Sequence, residues 1–196
     1  MSDHPHLIRP LIDVLDQGAR LIAGLAERPD AREFYVRVPE PLSTAGLGAH
    51  FRHCLDFVRA LVNGLPTGRI DYDARERDIA IENDPQVALA ELEDLKAKVI
   101  SLARKGLALE TELCVRMDAP PAASAAEPDG APDEVCWVRS SVGREFNLVM
   151  SHTIHHYALI AMTLRHCGED PGPEFGVAPA TLSYWREEGR CAPLVG

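Results

Sequence analysis

Histidines are concentrated in two short stretches of this 196-residue chain, SHTIHHY at 151–157 and GAHFRH at 48–53. The first stretch contains an i,i+4 pair, His152 and His156, which could reach one divalent ion from a single helix. Neutral imidazole is a common metal ligand. The pattern therefore indicates either a metal site assembled from two helices or a crowding of histidines without a metal. No Glu adjoins His152, so the HExxH pattern of metalloproteases is excluded.

Helical geometry nominates three of these histidines as ligands. At about 100° per residue, His152, His156 and Glu145 fall in the middle of the predicted buried stripe of one helix, with Tyr157 on its far face. On the earlier helix His50 is central to the core-facing stripe. Buried imidazoles need partners, and an ion would satisfy one nitrogen on each. Three histidines without a fourth protein ligand would leave open positions for water or substrate, as in catalytic sites.

The same geometry leaves other nearby groups with open roles. His53 is displaced by about 60° toward the edge of its stripe, and Asp56 is predicted to face outward. Glu145 is either a buried carboxylate paired with Arg or His, or an acceptor for a ligand histidine or a general base. The charged loop 70–78 either binds an anionic substrate carboxylate through Arg75 and Arg77 or is a solvated loop held by its own ion pairs.

The elements that must position these groups are mostly helices. Apolar periodicity predicts long helices over 6–28 and 44–63, a third from Pro85 to 105, and a fourth capped by Ser140 or Ser141 and running to His166. A shorter helix follows over 179–188. Segments 111–118 and 133–141 alternate apolar and polar residues, as the strands of a hairpin do, and in a symmetric register Cys114 faces Cys136. The Pro/Ala-rich connection between them is predicted to be mobile, and 65–83 is predicted to be an ordered loop with one short strand.

Composition sets the class of protein. The chain has 46% apolar and 26% charged residues, which fits one domain over 1–196 with its own core. A net charge of −10 without a basic cluster argues against nucleic-acid binding. The apolar runs are too short to span a membrane and the N-terminus does not resemble a signal peptide, so a cytoplasmic protein is expected. Five scattered cysteines form neither a disulfide framework nor a zinc ribbon.

The helix order and the stretches 43–57 and 143–162 resemble the DinB/YfiT-like superfamily of metalloenzymes. The resemblance covers roughly residues 5–167 and implies a mainly α, four-helix-bundle fold, here with a small β-hairpin before the last long helix and a short C-terminal helix. It implies that His50, His152 and His156 are the metal ligands, with His53 in place of His50 if the second helix is rotated.

The resemblance also implies a divalent metal cofactor, namely zinc, nickel or iron, and a small-molecule substrate. Characterised members of the superfamily include thiol-dependent S-transferases, so thiol transfer is the first expected activity and hydrolysis the second. The alternative from a different class is a non-catalytic helical bundle, in which the metal, if any, stabilises the fold or a homodimer.

Overall fold

A computed structural model of the chain describes residues 5–117 and 137–189. This part is mainly helical with one small sheet, as predicted. The long helices are α1 (Pro5–Ala26), α3 (Leu47–Gly64), α5 (Pro85–Arg104) and α6 (Val142–His166), and the short ones are α2 (Ala31–Val36), α4 (Ile79–Asn83) and α7 (Pro179–Glu187). No helix of the described ranges has the length and apolar character that a membrane crossing requires.

The four long helices bury one face each in a shared apolar core. Helices α1 and α3 each pack against both α5 and α6. The apolar periodicity of α1 is confirmed by Leu11, Leu15 and Ile22, which are at most 1% exposed. Close contact of α1 with α6 depends on Gly18, because a Cβ atom there would lie 2.0 Å from the Tyr157 Oη.

Helix α6 turns a different face inward from the one predicted. Its buried stripe includes Phe146, Val149, Thr153 and Tyr157, and it is centred roughly 100° from His152. Tyr157, which was expected on the far face, is 1% exposed. Because α6 is apolar nearly all round, periodicity could not choose between its faces. The candidate histidines of α6 consequently lie half-buried at the edge of the stripe.

Helix α3 contradicts the prediction that Asp56 faces outward. Asp56 is 3% exposed and forms ion pairs with Arg52 and Arg59 at 3.3 Å and 2.9 Å. Burial raises the pKa of Asp56, whereas the two arginines act in the opposite direction. Spacing along one helix could not reveal that the neighbouring elements cover this carboxylate.

The sheet has the order β1 (Arg69–Asp71), β2 (Glu112–Arg116) and β3 (Val138–Ser141). Strand β1 runs parallel to β2, and β3 runs antiparallel to β2. The predicted hairpin strands and the short strand within 65–83 are thus confirmed, but the register places Arg139, and not Cys136, opposite Cys114. The Pro/Ala-rich connection and Cys136 lie outside the described residues.

Two short helices, α2 and α4, occur outside the predicted helices, and α4 lies within 65–83, which was predicted to be a loop. Helix α2 buries Phe34 and Tyr35, and α4 buries Ile81. The Asp78 side chain caps α4 by accepting a hydrogen bond from the Ala80 N–H at 2.8 Å. Both helices are too short to produce an apolar repeat, which explains why the periodicity missed them.

Candidate metal centre

The histidines of α3 and α6 meet because these helices pack against each other. His50 and His53 are three positions apart on α3, and His152 and His156 are four apart on α6, so each pair projects from one face of its helix. All four side chains are half-buried. The pairing of two helices thereby brings four imidazoles together beside the apolar core.

Three of the four histidines have the geometry of a metal-binding group. One ring nitrogen from each of His53, His152 and His156 lies within 4.8 Å of the others. The Nε2 atoms of His53 and His152 are 2.8 Å apart. A tetrahedral zinc ion with Zn–N bonds of about 2.0–2.1 Å holds its ligand nitrogens roughly 3.3 Å apart. The donor set and spacing therefore fit a divalent ion after small side-chain rotations.

His50 and His155 flank this group without belonging to it. The Nδ1 atom of His50 lies 3.0 Å from the Nδ1 atom of His156. The exposed ring of His155 is centred 5.3 Å from the ring of His156. The structure thus brings together the two predicted ligands of α6 with His53, the substitute named for a rotated α3, and the ligand role of His50 stays a prediction.

The surroundings of His50, His53 and His156 favour the neutral form of these three imidazoles. Burial, followed by the neighbouring His152 and Arg75, lowers the pKa of His53 to about 4. Burial and then His53 and other imidazoles lower the pKa of His156 to about 3. Burial also lowers the pKa of His50. Because only neutral imidazole can bind a metal, His53 and His156 are ready to accept an ion at neutral pH.

A stack of aromatic rings supports the group from one side. The Phe57 ring stacks on His152 with centroids 4.1 Å apart, and Tyr72 stacks on Phe57 at 5.0 Å. Phe57 lies one turn after His53 on α3, so its proximity could have been read from the spacing. The position of Tyr72, which follows β1, could not be predicted from the spacing, because it depends on how the sheet packs.

Glu145 fixes the far end of this stack. It is 1% exposed and accepts a hydrogen bond from the Tyr72 Oη at 2.9 Å and another from the Ser140 Oγ. Burial and the nearby carboxylate raise the pKa of Tyr72, so its hydroxyl keeps its proton and donates. The predicted burial of Glu145 is confirmed, and its partners Tyr72 and Ser140 were missed. The general-base role stays a prediction.

Arg75 brings the charged loop to the histidines, as one of the two interpretations of 70–78 required. Its Nη1 atom lies 3.3 Å from the Nδ1 atom of His53. Arg77, by contrast, is exposed. Arg75 therefore lies where the predicted anion-binding role of the loop requires an arginine.

Comparisons with known proteins leave the family open. No protein-family model and no solved structure matches the chain. The FK506-binding protein 5 of Rhizopus delemar is 30% identical over 119 residues, which are 61% of this chain and 28% of that protein. Since the chain spans only 28% of that relative's length, the function must be argued from the site.

Proposed function

We propose that this protein is a divalent-metal-binding protein of the DinB-like type, in which α1, α3, α5 and α6 form the four-helix bundle. The single observation that carries the proposal is the convergence of one nitrogen each from His53, His152 and His156 within 4.8 Å. Bundles commonly build metal sites from side chains on facing helices, and here two helices supply the three donors.

The activity proposed for this site is that of a metal-dependent enzyme, a thiol S-transferase or a hydrolase. Three protein ligands leave coordination positions for a small-molecule substrate. When bound, zinc, nickel or iron would supply Lewis acidity, which lowers the pKa of a coordinated water or thiol. The chain's own contribution is to hold three imidazoles in place, with Phe57 packed against His152.

Metal analysis of the purified protein and of four alanine variants tests the proposal. The wild type should bind one equivalent of zinc, nickel or iron, and His53→Ala and His152→Ala should abolish stoichiometric binding. His50→Ala and His155→Ala are the matched controls, and they should weaken binding about 10–100-fold as changes to residues around the ligands. A site emptied by His50→Ala and retained in His53→Ala would restore the assignment expected from the helical stripe. A wild type without bound metal would refute the proposal.

The catalytic role is separated from a structural one by comparing activity and stability in the same variants. If the ion serves an enzyme, His156→Ala should abolish thiol-transfer or hydrolase activity while the variant stays folded, with a melting temperature close to that of the metal-free wild type. If the ion only stabilises the fold or a homodimer, the melting temperature or the dimer should be lost together with the metal.

A further inference from the structure

The guanidinium of Arg75 lies against the candidate metal centre with part of its hydrogen-bonding capacity unused. Its Nη1 atom contacts the Nδ1 atom of His53, and its central carbon lies 5.8 Å from the centroid of the Phe57 ring. The Nε atom of Arg75 is buried and has no hydrogen-bond partner. A buried donor without an acceptor is costly, so this group is suited to a ligand that supplies one.

Arg75 also differs from the neighbouring arginines in its charge balance. Arg52 is paired with Asp56 and Glu82, and Arg59 is paired with Asp56 among other carboxylates. Within residues 5–117 and 137–189, no carboxylate lies within ion-pair distance of Arg75. Asp56 lies near enough for the charge of Arg75 to help lower its pKa, but no direct ion pair among these residues uses the guanidinium, which can therefore still bind an anion.

Metal binding would leave a further N–H of Arg75 without an acceptor. An imidazole that ligates a metal through one nitrogen carries a hydrogen on the other. If His53 ligates through Nε2, the nitrogen that faces His152, its Nδ1 becomes a donor. It can then no longer accept a hydrogen bond from Arg75. The guanidinium would then have an Nη1–H without an acceptor in addition to the buried Nε–H, which forms one edge of the guanidinium together with Nη2.

We infer that Arg75 binds the carboxylate of a small-molecule ligand whose other end reaches the metal. This inference rests on the proposed metal-binding function. A guanidinium can bind a carboxylate through two parallel hydrogen bonds, which fixes the orientation of the ligand. The cavity of about 230 Å³ on which Arg75 also borders is lined by Asp56, Asp71 and Glu76 as well as by Arg59 and Arg69, so the carboxylates there already balance the arginines. The metal side is therefore the favoured position.

The test uses zinc-loaded full-length protein and two probes that share a thiol donor. Mercaptoacetate carries a carboxylate where 2-mercaptoethanol carries a hydroxymethyl group, and both affinities are measured by titration calorimetry. The wild type should prefer mercaptoacetate, and Arg75→Gln should reduce that preference by about 10- to 100-fold, as expected for lost charge-assisted hydrogen bonds. Arg77→Gln, the exposed control on the same loop, should behave as the wild type. Zinc content is measured after each titration to exclude removal of the metal.

The outcomes separate this inference from the function on which it rests. Zinc binding by the wild type without a preference for mercaptoacetate would overturn the inference alone, whatever the variants do. An equal preference in Arg75→Gln and the wild type would also overturn it, since the carboxylate would then be held elsewhere. If Arg75→Gln fails to fold, Arg75→Lys takes its place and should show a reduced preference, because Lys cannot form the paired hydrogen bonds. A wild type that binds no zinc would refute the proposed function and the inference together.

Discussion

Acidification should destabilise the metal-free protein through its neutral histidines. The pKa of His53 is about 4 and that of His156 about 3 in the folded chain, against 6.5 for an ordinary histidine. Below pH 6.5 the unfolded chain therefore binds protons that the folded chain excludes. Stability should be complete above pH 6.5 and decrease as the pH falls toward these two folded-state values.

The magnitude follows from the size of the two pKa shifts. One pKa unit corresponds to about 1.36 kcal/mol, so a fully shielded histidine would cost nearly 2 kcal/mol between pH 7 and pH 5. Both side chains are only half-buried, and solvent screening reduces the contribution of each by about half. The two together should lower the free energy of unfolding by about 2 kcal/mol, a large part of the roughly 5–15 kcal/mol typical of a domain.

Urea denaturation with a chelator present, at several pH values between 5 and 7.5, measures this loss. His53→Gln retains a polar side chain and cannot titrate in this range. On acidification this variant should lose at most about half as much free energy of unfolding as the wild type. The reason is that it also removes one of the imidazoles that lower the pKa of His156. His166→Gln, at the exposed end of α6, is the matched control and should keep the full loss. An identical pH dependence in the wild type and both variants would show that these imidazoles are not held neutral by the fold.

Three further changes test the packing and the metal linkage. Tyr72→Phe should destabilise the protein by about 1–3 kcal/mol in urea denaturation, because Glu145 loses a buried donor; unchanged stability would show that water replaces it. Gly18→Ala should cost about 1–3 kcal/mol through its clash with Tyr157. Gly24→Ala, where no atom lies within 4 Å of a Cβ, should leave the melting temperature nearly unchanged, and equal effects of the two glycine changes would contradict the packing described. Zinc at about 100 times its dissociation constant should add roughly 2.7 kcal/mol at pH 7.5, and no rise in melting temperature would argue against binding to the folded state.

Much of the fold could be predicted because its information is local. Four long helices, the C-terminal helix and the two hairpin strands leave apolar repeats, capping residues or alternation in the sequence, whereas the three-residue β1 was expected only as an unplaced short strand. Ser141 is one of the two predicted caps of α6, and its side chain accepts a hydrogen bond from the Arg144 N–H. The approach of the two α6 histidines follows from the i,i+4 spacing alone, since both must lie on one face.

Only the tertiary structure decided how far each helix is rotated about its axis. Helix α6 is apolar nearly all round, so several faces could have been buried at similar cost, and packing against Gly18 on α1 places Tyr157 inward. That rotation moves His152 and His156 to the edge of the core, where they group with His53. The hydrogen-bond partners of Glu145 could not be predicted from the sequence either, because they are supplied by β3 and by the residue after β1. A sequence pattern records which residues share a face, whereas contacts between elements distant along the chain select the face that is buried.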